Sequence, residues 1–153
     1  MGQSAFSSNK YREIVIDGSV DVEVYNRSGG LVAAIIDDTP QRVTSLITEM
    51  DEAGEKIVYL PATDNYSIKL TATGDGLMTY SLYEHSDDKV NKLLIYYDVP
   101  ITNGQIFDCS APAFSDEELN KYRSILNTEY QLSTNGAILE QRMELSGEEA
   151  CDC

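Results

Sequence analysis

Val20–Ile36 reads VDVEVYNRSGGLVAAII and runs straight into Asp37-Asp38. Val20, Val22 and Val24 alternate with Asp21, Glu23 and Tyr25, the period of a strand with one dry face and one wet face. Asn26–Gly30 supplies residues that accept left-handed φ angles, as a hairpin loop requires. Leu31–Ile36 returns apolar on both faces, which predicts a central strand. The glycines here serve a turn. Neither G-x-G-x-x-G nor a Walker pattern occurs to give them a phosphate.

The same period dominates from Ile14 to Cys109. It predicts strands over Val43–Thr48, Lys56–Leu60, Tyr66–Thr73, Leu77–Glu84, Val90–Val99 and Gln105–Asp108. Turn residues separate them: Asp51–Gly54, Pro61–Asn65, Gly74-Asp75-Gly76, Ser86–Asp88 and Pro100–Gly104. Seven to eight strands at this spacing describe a sandwich or barrel, not an α/β enzyme, and the expected fold class is an all-β, antiparallel sandwich of Ig-like or jelly-roll type. Each inward Val, Ile, Leu or Tyr contributes roughly 1.5–3 kcal/mol on burial.

At Ala111-Pro112 the period changes. Ser115 and Glu118 form a capping box, and Leu119, Tyr122, Ile125 and Leu126 share one stripe, predicting a helix over 115–127. Beyond Tyr130, the Asn135-Gly136 pair permits a hairpin while Ala137–Leu145 has good helix formers, so 130–146 reads either way. The expected organisation is a tail over 1–12, a sandwich over 13–110 and an extension with a helix over 111–153. The ending EEACDC, without cap or closing strand, fits a piece of a longer protein.

The chain of 153 residues carries 26 acidic and 11 basic side chains, for a formal charge of −15. Such a surface repels phosphate backbones and anionic leaflets, which argues against nucleic-acid binding and favours solubility. No apolar run reaches the roughly 18–20 residues of a membrane span. MGQSAFSSNKYR lacks the features of a signal peptide, and Phe6 stands where a myristoylation motif wants Ser or Thr. Cys109, Cys151 and Cys153, with His85 as the sole imidazole, show none of the usual zinc spacing.

The run IVIDGSVDVEVYNRSGGLVAAI, then EKIVYLPATDNYSIKLTATGDGLMTYSLYE, then YYDVPITNGQIF, resembles a repeating Ig-like β-sandwich module of large secreted or cell-surface bacterial proteins, often found beside a hydrolase domain. The resemblance covers roughly residues 13–109, about two-thirds of the chain. It implies an extracellular or cell-surface accessory role, with neighbouring domains of the same polypeptide or a cell-envelope glycan or protein as partners. The resemblance implies that such modules often carry Cys-Pro where this chain has Gly18-Ser19, so a disulfide tied to that position is not carried over. The resemblance brings no catalytic residue with it.

Three constellations compete with plainer readings. Tyr80, Tyr83, Tyr96 and Tyr97 lie on expected strands, and an exposed row of them would stack on sugar rings; core packing is the plainer role. Asp37, Asp38, Asp87 and Asp88 sit at expected turns where a sandwich can gather a structural calcium, though as solvated loop acids they need no metal. Scattered carboxylates would suit a small acidic hydrolase, but His85 falls in an expected turn with no nucleophile fixed beside it. The expectation is a non-catalytic accessory, spacer or binding module, without direct membrane insertion. Sequons at Asn26-Arg27-Ser28 and Asn65-Tyr66-Ser67 fall at expected loops.

Overall fold

The computed structural model describes residues 10–44, 46–86, 89–111, 132–134, 137–139 and 143–146. They form two antiparallel sheets stacked as a sandwich. The thirteen strands among them are β1 (Tyr11–Asp17), β2 (Val20–Asn26), β3 (Leu31–Ile36), β4 (Thr39–Gln41), β5 (Ile47–Met50), β6 (Lys56–Pro61), β7 (Tyr66–Ala72), β8 (Gly76–Ser86), β9 (Lys89–Ile101), β10 (Ile106–Ala111), β11 (Leu132–Thr134), β12 (Ala137–Ile138) and β13 (Met143–Ser146). One sheet has the order β13-β9-β8-β1-β6-β5, the other β12-β11-β10-β7-β2-β3-β4.

The alternation seen in the sequence is what closes the core. Val20, Val22 and Val24 of β2, with Leu70 of β7 and Phe107 of β10 on the same sheet, join Ile14 and Ile16 of β1 and Tyr80 of β8 from the other sheet in one dry cluster. The β2–β3 loop forms as expected. Asn26 N–H donates to Gly30 O at 2.8 Å, and the Asn26 Oδ1 accepts from Ser28 and Gly30 amides at 3.0 and 2.9 Å. Asp51 closes the β5–β6 turn the same way, its Oδ1 accepting from the Ala53 and Glu55 amides at 3.0 and 2.8 Å.

Several expectations change. The strand expected over Val43–Thr48 begins instead at Ile47, and the unforeseen β4 carries Pro40 at a sheet edge, where a missing N–H costs no ladder bond. As a result β3 is one strand in from the edge. Residues 11 and 12, assigned to the tail, open β1, and Arg12 is fully buried. Within 130–146, Ser133 pairs with Ile138 and Thr134 with Ala137, which is the hairpin alternative. β13 crosses to the other sheet beside β9, so this stretch feeds both sheets. The helix expected over 115–127 lies outside the described residues.

Gly18, in the β1–β2 connection, has φ of +149°. A Cβ there would stand 3.1 Å from Met78 Cα and 3.2 Å from Leu77 O, both backbone atoms that cannot swing away. A side chain at position 18 therefore forces the Leu77–Met78 backbone to shift. Gly18→Ala is expected to lower unfolding free energy by roughly 2–3 kcal/mol, from φ strain plus the clash. A urea titration reads this directly, and a loss within about 0.5 kcal/mol would show that the connection relaxes freely.

Cys109 is a buried thiol, and it accepts a hydrogen bond from the Tyr80 hydroxyl at 3.2 Å. Burial pushes its thiol up to about 12. Burial also raises the Tyr66 hydroxyl, as it does the Tyr59 hydroxyl. In each case the unfolded group ionises first, so the native state holds the extra proton. Stability is therefore full below the unfolded thiol value and falls as pH climbs from about 9 towards 12. Alkylation mapped by mass spectrometry should leave Cys109 unmodified at about pH 8 until denaturant is added.

Candidate functional site

The four tyrosines do not form one row. Tyr80 and Tyr96 are fully buried and meet edge to face at 6.3 Å inside the core. Their parity explains it, since Met78, Leu82 and Leu94 share their inward face. A sugar ring outside the sandwich cannot reach them. Tyr83 is half-buried on the outer face of the six-stranded sheet, and Tyr97 is exposed there.

Asp37 and Asp38 are the two central residues of the tight β3–β4 hairpin, with φ of 54° and 59°. That geometry is a primed turn, which Asp tolerates better than most side chains. The Asp38 carboxylate already pairs with the buried Lys56 ammonium at 3.2 Å, and Lys56 Nζ also donates to Gly18 O at 2.9 Å. Asp87 and Asp88 lie outside the described residues. Among the described residues no three His, Cys, Asp or Glu side chains converge on a common cation position.

What the fold does gather is an aromatic and acidic patch on the outer face of the six-stranded sheet. Glu13 of β1 stands in register between Tyr59 of β6 and Tyr83 of β8. Tyr11 stacks on His85 with ring centroids 4.5 Å apart, and lies 6.1 Å from the Tyr59 ring. His85 Nε2 sits 3.0 Å from Glu13 Oε1, and Tyr83 is 6.1 Å from the imidazole. The Tyr59 hydroxyl donates to Glu49 Oε2 on β5 at 3.1 Å. Burial first, then the Glu13 and Glu49 charges, raise the Tyr59 hydroxyl above its ordinary value.

His85 was expected in a solvated turn; it is a strand residue. β8 runs on to Ser86, pairing Tyr11 with His85 on one side and Val90 on the other. The signal that would have placed it was its parity with Tyr83 on the wet face. Ile47 and Tyr97 extend the patch towards both sides as exposed apolar groups.

The outer face of the seven-stranded sheet has a different character. Glu23, Lys69, Asp108 and Ser133 stand in one register row, with Lys69 Nζ 3.9 Å from Glu23 Oε1. Thr71, Ser67 and Ser110 flank that row. This is a largely polar face, on which Tyr25, Leu31 and Ile106 also stand, Leu31 and Ile106 exposed.

One open cleft of about 440 Å³ lies at the end of the sandwich that carries the β2–β3 and β6–β7 loops. Its wall mixes Val32, Leu46 and Pro61 with Arg27, Thr63, Asp64 and Asn65. Much of its polar lining already holds the loops in place. Asn26 accepts two amides, and the Asp64 carbonyl accepts from the Arg12 guanidinium at 2.9 Å. Arg12 also donates to Ala111 O at 2.8 Å and to Pro61 O, and lies 5.8 Å from the Tyr66 ring centroid.

Neither a family model, nor a curated protein, nor a solved structure matches this chain. No helix among the described residues is long and apolar enough to cross a membrane.

Proposed function

We propose that the chain is a non-catalytic accessory module, an Ig-like or jelly-roll sandwich of a larger secreted or cell-surface protein, that docks through the outer face of its six-stranded sheet. The observation that carries this reading is the contrast between the two outer faces. Each face exposes two large apolar side chains, Leu31 and Ile106 on one, Ile47 and Tyr97 on the other, but only the second clusters rings, with Tyr11, Tyr59, Tyr83 and His85 half-buried around Glu13 where the first has a charge ladder. Water-facing strand positions occupied by aromatics mark contact surfaces more often than solvated ones. Tyrosine suits this role because its ring is rigid and its hydroxyl tolerates water.

The partner in this reading is a neighbouring domain of the same polypeptide or a protein of the cell envelope. An immunoblot of cell, envelope and medium fractions tests it. A band well above 17.0 kDa in the envelope or medium is the expected result. A band at 17.0 kDa confined to the cytosol would overturn the accessory role.

A further inference from the structure

The chemistry of the aromatic patch narrows what it binds. On the outer face of the six-stranded sheet, the described side chains include the carboxylates of Glu13, Asp17 and Glu49, and no lysine or arginine. Glu13 stands between the Tyr59 and Tyr83 positions, so an electron-rich ring lies on each side of a carboxylate. His85 Nε2 at 3.0 Å from Glu13 Oε1 shows that a nitrogen fits against this carboxylate at the level of the rings. A tyrosine face attracts an ammonium or guanidinium through its quadrupole, and a neighbouring carboxylate adds direct pairing. The whole-chain charge of −15 draws cations towards the surface before contact.

We infer that the outer face of the six-stranded sheet binds a lysine- or arginine-bearing segment of a partner protein, its cations lodged over Tyr59 and Tyr83 beside Glu13 and Glu49. The inference rests on the docking reading above and names the chemistry of the partner. A basic peptide also distinguishes this patch from the opposite face, where Lys69 stands in the row between Glu23 and Asp108. There a guest cation would meet a resident one.

The test titrates the full chain with a lysine–glycine peptide at about 0.15 M salt, where exposed charges beyond about 8 Å are screened. Glu13→Gln/Glu49→Gln removes two charges from the patch, and Glu23→Gln/Asp108→Asn removes two from the opposite face. The patch variant is expected to bind roughly tenfold more weakly, and the opposite-face variant within about twofold of the parent. Tyr83→Leu keeps every charge and is expected to lose roughly threefold or more, because the ring contribution alone is removed. Circular dichroism confirms that each variant is folded.

Equal weakening by both double variants would mean attraction by net charge alone and would overturn the inference. So would parent binding no tighter to the lysine–glycine peptide than to a glutamate–glycine peptide. If the inference fails in either way while native crosslinks still form from this face, the docking reading stands without its cationic partner. If those crosslinks are missing as well, both fall.

Discussion

Arg12→Met is expected to lower the unfolding free energy by roughly 3–5 kcal/mol, the range for breaking a buried charged cluster at one member. In a chain this long, that corresponds to a fall in Tm of about 10 °C or more. The reason is where the guanidinium sits. Arg12 belongs to β1 in the six-stranded sheet, yet it donates to Ala111 O at the end of β10 in the other sheet. Its second terminal nitrogen donates to Pro61 O and Asp64 O across the β6–β7 connection. One side chain thus ties both sheets to the loop that walls the cleft. Methionine fills the volume and leaves three carbonyls without their donor, in a place water does not reach freely.

Glu84 sharpens the cost. It is fully buried and stands in register with Arg12 on the neighbouring strand β8, so removing the guanidinium takes a positive charge from the strand position next to a buried carboxylate. Arg12→Lys should recover only part of the loss, because one ammonium cannot reproduce the forked geometry that reaches carbonyls in two directions. Urea denaturation of the three proteins measures both numbers. A loss below about 1 kcal/mol for Arg12→Met would mean the clamp is replaceable by water.

Two adjacent tyrosines should behave oppositely. Tyr96→Ala is expected to cost roughly 3–5 kcal/mol, since it empties a large buried ring position. The Tyr96 hydroxyl also accepts from the Leu132 amide at 3.3 Å, joining β9 of one sheet to β11 of the other. Tyr96→Phe isolates that contact and should cost about 1–2 kcal/mol. Tyr97→Ala, at 40% exposure on the outer face, should stay within about 1 kcal/mol of the parent. Parallel thermal melts decide the matter. Near-equal losses at the two positions would mean that the sheet's inner and outer faces are wrongly assigned.

Strand period was legible because it follows from alternate burial alone. Val20, Val22 and Val24 announced a dry face, and the same parity rule, applied to Met78, Tyr80 and Leu82, puts Tyr80 in the core. The hairpin at Asn26–Gly30 was legible for a local reason, since its hydrogen bonds all lie within five residues. Arg12 was not. Its parity with Ile14 and Ile16 puts it on the dry face, but its partners lie 49 to 99 residues away and are carbonyls, which carry no residue signature.

β4 was hidden by Pro40, which a central strand would exclude and an edge strand accepts. His85 was hidden by Ser86-Asp87-Asp88, whose composition looks like a turn beginning too early. The aromatic patch is a product of register. Tyr11, Glu13, Tyr59, Tyr83 and His85 come from three strands spread over 75 residues of sequence, and only the β6-β1-β8 order brings them onto one face.

The measurement that bears most directly on this account places a photo-crosslinking residue at Tyr97 in one version of the native protein and at Lys69 in another. Both side chains reach solvent, and they lie on opposite outer faces. After irradiation in the source cells, a discrete adduct is expected from the Tyr97 position and none from Lys69. Adducts of equal yield from both positions, or from Lys69 alone, would contradict the assignment of the six-stranded face as the docking surface.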